Sequence, residues 1–409
     1  MNFYNNERLY MTIGYITPGE MNKKMYGKDS ESLKSYKTIL FPIRGLFIMI
    51  KNFNGKFFVL SDDLTGAHGV SGMMAQFGKS ITMNKEALFD KREIDVNYDF
   101  LTINTESRKM DGIRAFQTVQ ELWDFLKVNG IGVSKRIDST LRGNTENEIM
   151  PLLEKNSAIM TDTIPEYSRY TENGKTITSD SSIEILDKFK ELEVLTLKLN
   201  ELKKVKVKKG KVYVVDSRTH IDIDNIANFI YKNRYIPIDP GPLCSKVAGF
   251  YAPSKSRRTS VPKIRSMAYV IGSENEKTQS QINYAVSKSI KLRSIEEYNK
   301  EFYKAIIIRL KYIEQKHLID DEFIEKIKVF DSLFLSGGET ANSIFVASGG
   351  DFIEAINDYI PLVGIGRIHG GKLDQKIIVT KGGSIGGQSV YIDVLAFLSD
   401  QVYEIKDRH

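Results

Sequence analysis

The chain has 409 residues, about two domains of ordinary size, with 41% hydrophobic and 27% charged residues. That composition excludes a fibrous, collagenous or wholly disordered protein, and a net charge of +6 spread along the chain lacks the concentrated basic face of a nucleic-acid binder. A single cysteine, Cys244, rules out an internal disulfide framework or a cysteine-based zinc cage, and the five histidines have no metal-ligand spacing.

In chain order, residues 1–48 show no period of two or 3.6 and read as a poorly ordered leader, with Met49 a candidate start codon. The most apolar window, 39–50, contains Arg44 and falls short of the roughly 18–20 residues that span a bilayer. With the cysteine usage, this predicts a cytoplasmic chain whose partners are neither membrane nor nucleic acid. Strands are predicted at 56–60, 99–104, 133–138, 212–216 and 235–239, with helices over 115–128 and from about Thr145. Such alternation predicts an α/β fold with mainly parallel sheet and helices on both faces. Acids recur at the strand ends: Asp62, Asp63, Asp138, Asp216 and Asp239. Ligands of open α/β sheets bind at the carboxyl ends of strands, so these acids point to a polar crevice. The lysine–valine run 203–211 reads as a solvated edge strand or hairpin, with anion recruitment as the alternative. Residues 251–266 hold two prolines, four serines and five basic residues, which is linker composition. A second α/β series opens at 267–271. The expected organisation is a leader at 1–48, a domain at 49–250, a linker at 251–266 and a domain at 267–409, each domain a mainly parallel sheet flanked by helices.

Several stretches carry chemistry. Ser61-Asp62-Asp63-Leu64-Thr65-Gly66-Ala67 joins a strand end to a helix. Its two carboxylates suit proton abstraction, hydroxyl binding or water-mediated Mg²⁺ binding, and equally a plain aspartate N-cap. Lys135-Arg136-Ile137-Asp138-Ser139-Thr140-Leu141-Arg142-Gly143-Asn144 sets three cations among hydroxyls and amides at another strand end. That suits a small polyhydroxylated anion, with Arg142 able to grip a carboxylate bidentately. Arg108, in Thr105-Glu106-Ser107-Arg108, adds a cation at a third.

In the second half, Ser336-Gly337-Gly338-Glu339-Thr340 lies between a strand and a helix beginning near Ala341. This is a candidate phosphate cradle, or a tight turn capped by Thr340. Thr380-Lys381-Gly382-Gly383 follows a strand at 377–379 and offers a lysine to phosphate oxygens. The run 364–371 has the wrong glycine spacing for a dinucleotide fingerprint, and no GxxxxGK[ST] occurs.

Together with Gly272-Ser273 and Thr278-Gln279-Ser280-Gln281-Ile282, these motifs resemble, in order, those of the four-carbon acid sugar kinases. That family includes threonate, erythronate and 3-oxo-tetronate kinases, and the similarity runs from about Lys56 to Ala396. The resemblance implies an N-terminal domain for the acid sugar, a C-terminal domain for ATP and an active site in the cleft between them. The reaction it implies is Mg²⁺-assisted transfer of the γ-phosphoryl group of ATP to a terminal hydroxyl of a four-carbon sugar acid. Carried over by position, Asp62 and Asp63 are catalytic, while Arg108, Lys135, Asp138, Ser139 and Arg142 bind the acid sugar. Ser273, Gly337, Gly338, Glu339, Thr340 and Gly383 bind the nucleotide. A homodimer is the assembly considered. The chain departs from the family at His68-Gly69, where many members have an acid, and at Ser168, which replaces a glycine before Arg169. Ile238-Asp239-Pro240-Gly241-Pro242-Leu243 is a third departure, where members often read Gly-Ser-x-Gly-Leu. These departures leave open a sensor that binds an acid sugar without transferring phosphate. A nicotinamide dehydrogenase is a weaker alternative.

Overall fold

Strands buried on both faces need apolar residues at every position, and the runs Phe57-Phe58-Val59-Leu60 and Met267-Ala268-Tyr269-Val270-Ile271 meet that need. The computed structural model describes residues 39–43, 46–50, 55–88, 97–128, 131–205, 207–252, 260–288, 290–293, 305–310 and 319–399. The first half contains β1 (Ile39–Ile43), β2 (Leu46–Ile50), β3 (Phe57–Ser61), β4 (Ser80–Asn84), β5 (Phe100–Asn104), β6 (Gly132–Arg136) and β7 (Ala158–Met160). It continues with β8 (Tyr170–Glu172), β9 (Lys175–Ile177), β10 (Ser182–Glu184), β11 (Glu193–Leu197), β12 (Lys211–Val215) and β13 (Ile236–Asp239). The second half contains β14 (Met267–Ile271), β15 (Lys291–Arg293), β16 (Ala305–Arg309), β17 (Ser332–Ser336), β18 (Phe352–Asp358), β19 (Val363–His369) and β20 (Ile377–Lys381).

One sheet of 15 strands runs β11-β12-β7-β13-β6-β3-β5-β4-β18-β19-β20-β17-β14-β16-β15. Every neighbouring pair is parallel except β4–β18, β18–β19 and β19–β20. The α/β architecture and the two parallel stretches expected from the sequence are present. They are joined edge to edge through antiparallel β18 and β19, which the sequence reading missed. Two apolar layers result, because alternate strand residues face opposite sides. Tyr269 and Ile271 enter one cluster with Phe57 and Val59, and Ala268 and Val270 enter the other with Leu64 and Leu333. The helix Leu64–Met74 is buried along its whole length. It comes close to β19 at Gly364, where an added Cβ would lie 2.6 Å from the His68 carbonyl oxygen.

Outside this sheet, β8, β9 and β10 form a three-stranded antiparallel sheet. The hairpin β1–β2 belongs to a separate unit; residues 1–38 of the expected leader lie outside the described residues, as do 253–259 of the expected linker. The described residues of the lysine run before β12, 203–205 and 207–210, form no edge strand, and β12, which takes Lys211, has β11 on its outer side.

Candidate active site

Residues following β3, β5 and β6 and residues following β14, β17 and β20 line one cleft of about 420 Å³. The location is the one expected of parallel strands, whose carboxyl ends leave loops and helix N-termini to meet a ligand. Asp63, Arg108, Asp138, Ser139 and Arg142 line it from the first half; Ser273, Gly337, Gly338, Glu339, Thr340 and Gly383 line it from the second. Of the residues singled out in the sequence, Asp62, Lys135, Asp216, Asp239 and Lys381 do not; Asp239 is buried and accepts from the amides of Gly241, Leu243 and Cys244 instead.

Asp63 does cap its helix. Its Oδ1 accepts from the Gly66 amide at 2.9 Å and its Oδ2 from the Thr65 hydroxyl at 3.0 Å. The same carboxylate meets Arg108 Nη1 at 2.9 Å and Arg136 Nη1 at 3.0 Å, so capping and charge pairing coexist. Asp62, 2% exposed, lies beneath it and accepts from Arg108 Nε at 2.7 Å and Arg136 Nη1 at 2.9 Å. Asp138 receives Arg142 Nε at 2.8 Å and Nη2 at 3.0 Å, with Arg108 Nη2 at 3.3 Å. Burial alone would raise the Asp62 carboxyl, yet Arg108, Arg136 and Lys135 hold it below the usual carboxylate range. Burial likewise opposes ionisation of Asp138, and the Arg142 hydrogen bond with the Arg108 and Arg136 charges brings it well below. Burial works against the charge on Arg108 too, but Asp63, Asp62 and Asp138 more than offset it. The result is a set of three arginines balanced by three aspartates.

The sequence reading overlooked Arg136. Neighbours on a strand face opposite sides, so Lys135 and Arg136 cannot both reach the crevice. Arg136 takes the cleft side, and Lys135 is wholly buried with its Nζ 2.9 Å from Glu148 Oε2 and 2.7 Å from the Arg136 carbonyl. Glu148 in turn accepts from Ser107 Oγ at 2.5 Å. Lys135 therefore does not contact a ligand; it anchors the turn that carries Arg108. Likewise Asp62 positions two arginines instead of facing a substrate. Gly66 makes room for Arg136: an added Cβ would lie 2.1 Å from its Nη1. Ser139 is held through its carbonyl by Arg169, itself paired with Asp162.

Across the cleft, Gly337 (φ +108) turns the chain into the helix Gly338–Ala347. The N-cap is Gly337, not Thr340, and it offers no side chain to the first amides. A Cβ on Gly338 would lie 2.4 Å from Asp63 Oδ2, so the two halves touch here. Gly383 approaches Ser273 so closely that a Cβ would sit 2.2 Å from its hydroxyl. Thr278 Oγ1 donates to the Gly383 carbonyl at 2.8 Å and lies within hydrogen-bond distance of Ser273 Oγ, at 3.0 Å. Gln281 Nε2 donates to the carbonyls of Ile385, Gly386 and Gly387 at 3.0–3.2 Å. The Thr278–Ile282 stretch thus fastens the glycine loop. Lys381 does not offer its ammonium to the cleft: it is fully buried and donates to the carbonyls of Gly382 and Gly383 at 2.9 and 3.1 Å. Burial, with the Lys277 charge, brings its pKa down to about 7.

Two further contacts bridge the halves. Lys109 pairs with Glu339, and Asn342 bonds Asn84, Asn104 and Glu106. His68, the departure from the family pattern, faces the interior: its Nδ1 is 2.9 Å from Thr380 Oγ1, and burial lowers its pKa to about 3. Among the described residues, no group of three or more His, Cys, Asp or Glu is arranged to hold a metal ion, and no helix is long and apolar enough to cross a membrane.

Residues 57–191 match the family model of a sugar-binding N-terminal domain. The chain is 22% identical to D-erythronate kinase of Heliobacterium modesticaldum, with 84% of this chain and 97% of that one covered. It is also 22% identical to D-threonate kinase of Salmonella typhimurium, covering 84% and 99%. These matches support a place for the chain among the four-carbon acid sugar kinases. Its fold is shared with Haemophilus influenzae protein HI1011 (TM-score 0.57, 15% identity, 83% of this chain and 100% of that one). A Salmonella typhimurium LT2 structure, proposed as a tRNA synthase, shares it too (TM-score 0.64, 13% identity, 84% and 100%).

Proposed function

We propose that the chain is a four-carbon acid sugar kinase, transferring the γ-phosphoryl group of ATP to a terminal hydroxyl of a four-carbon sugar acid. The observation that carries the reading is the opposition, in one cleft, of an arginine–aspartate set and two glycine-rich turns. Arg142 is 60% exposed and bound to Asp138 through Nε and Nη2, which leaves Nη1 for a carboxylate. Asp63 is the carboxylate that reaches a substrate hydroxyl. Its oxygens already accept several hydrogen bonds, so it orients that hydroxyl, and a loose transition state asks little basicity of it. Gly337, Gly338 and Gly383 admit phosphates or adenosine where a side chain would collide with Asp63 or Ser273.

Magnesium fits this cleft as an ion carried on the nucleotide's phosphates with most of its water shell, because Asp63, Asp138 and Glu339 each face a cation. The exposed carboxylate of Glu274, after β14, is the one among the described lining residues that remains to accept from that shell. The ion would neutralise phosphate charge. The sensor alternative drew on the substitution at His68, and that ring lies in the interior on Thr380, where it bears on packing and not on transfer.

The test is ADP release with ATP and Mg²⁺ over a panel of four-carbon aldonates and their keto derivatives. Turnover with at least one, well above ATP hydrolysis alone, is expected. Tight binding of an aldonate with no ADP released from any would replace the kinase reading with the sensor.

A further inference from the structure

We infer that Lys109 is a catalytic residue whose ammonium contacts the γ-phosphoryl group of the nucleotide, held in place by Glu339. The inference deepens the kinase reading and rests on it for the reaction. Lys109 ends the short turn Ser107–Lys109, directly after Arg108. That turn is well fixed: the Met110 amide donates to the Ser107 carbonyl at 3.1 Å, and Asn144 Nδ2 bonds the carbonyls of Ser107 and Met110 at 2.8 and 2.7 Å. From this base the Lys109 side chain crosses from the sugar-acid half to the Glu339 carboxylate, in the first turn of the helix Gly338–Ala347. Both residues line the cleft. The ammonium therefore stands between the group that would receive phosphate and the turn that would present it.

The arginines of the cleft are committed elsewhere. Arg108 serves Asp62, Asp63 and Asp138, Arg136 serves Asp62 and Asp63, and Arg142, on Asp138 through Nε and Nη2, keeps its Nη1 for the sugar acid's carboxylate. Lys109 is 68% exposed, and an ammonium has three donors, so one can stay on Glu339 while the others turn to phosphate oxygens. Phosphoryl transfer depends on positioned positive charge, and a lysine on a flexible stem can follow the group as it moves. In the step, the acceptor hydroxyl oxygen bonds to the γ-phosphorus while the bond from that phosphorus to the β–γ bridging oxygen breaks. ADP leaves with the electron pair, the hydroxyl proton passes to solvent, and Lys109 keeps its own proton throughout.

Lys109→Met and Lys109→Arg test this through ATP and ADP affinities, measured calorimetrically, alongside kcat and both KM values. A contact to the γ-phosphoryl group weakens ATP relative to ADP by about tenfold in Lys109→Met, since ADP lacks that group. The turnover should fall on the order of 10²-fold or more, with the sugar-acid KM little changed, and Lys109→Arg should restore much of both. An ATP-to-ADP affinity ratio equal to wild type in Lys109→Met, at unchanged thermal stability, overturns the inference. If wild type phosphorylates no sugar acid, the kinase reading fails while the affinity ratio still decides the Lys109 contact. If wild type binds no ATP, both fall.

Discussion

Ser168 occupies the left-handed region, at φ 49, where a side chain is strained and glycine is not. The family glycine at this position thus has a backbone reason, and Ser168→Gly should stabilise the protein by about 0.5–1 kcal/mol after the extra entropy of an unfolded glycine is subtracted. A denaturant midpoint that falls or stays put would remove the strain argument. His68 gives a pH prediction. The unfolded ring takes a proton below its usual pKa, whereas the buried ring waits until about 3, so the unfolded state binds more protons between those values. Stability contributed by His68 is therefore complete above about pH 6.5 and is lost as pH falls towards 3. Between pH 7 and 5, wild type should lose about 2 kcal/mol more than His68→Gln, measured by chemical unfolding. Equal losses would mean the ring titrates normally. At this scale the sequence was informative but could not choose between adjacent residues. Lys135 and Arg136 are both cations in one motif, and only the pairing register of β6 decides which is buried on Glu148 and which faces the cleft.

Among the elements, the helix Leu64–Met74 shows how packing at a glycine sets up the site. An alanine at Gly66 suits a helix by itself, but its methyl group would occupy the space of the Arg136 guanidinium. Moving the guanidinium aside would pull it from the buried Asp62 and from Asp63, so Gly66→Ala should lower the unfolding midpoint. Binding should suffer as well: the sugar-acid KM rises about tenfold or more while the ATP KM holds. Unaltered sugar-acid kinetics would separate Arg136 from the substrate. The buried parallel strands were legible because both their faces are apolar, and the turns after them because glycines and aspartates follow. β18 and β19 were not. The glycines of β19 were weighed only as a dinucleotide fingerprint, and they are there because His68 comes within 2.4 Å of where a Cβ on Gly366 would stand. That pairing is long-range, and no local pattern announces it.

For the molecule as a whole, the first and second halves are tied by the antiparallel pair β4–β18 and by Asn342, which accepts from Asn84 at 2.9 Å and Asn104 at 3.3 Å and donates to Glu106. Asn342→Ala leaves these partly buried amides without that partner. It should cost about 1–3 kcal/mol and lower turnover more than it changes either KM, because the facing parts of the cleft lose their alignment. An unchanged midpoint and rate would make the asparagine cluster incidental. The α/β class and most of the cleft residues could be read from strand-end motifs, whereas the joining of the two parallel stretches into one sheet could not. The most direct test of the central claim is a ³¹P NMR record of γ-labelled ATP mixed with the enzyme, Mg²⁺ and the aldonate it turns over. The account predicts that label leaving ATP appears as a phosphate monoester on the sugar acid's terminal carbon, in step with ADP. Label appearing only as inorganic phosphate, or remaining on ATP, would contradict it.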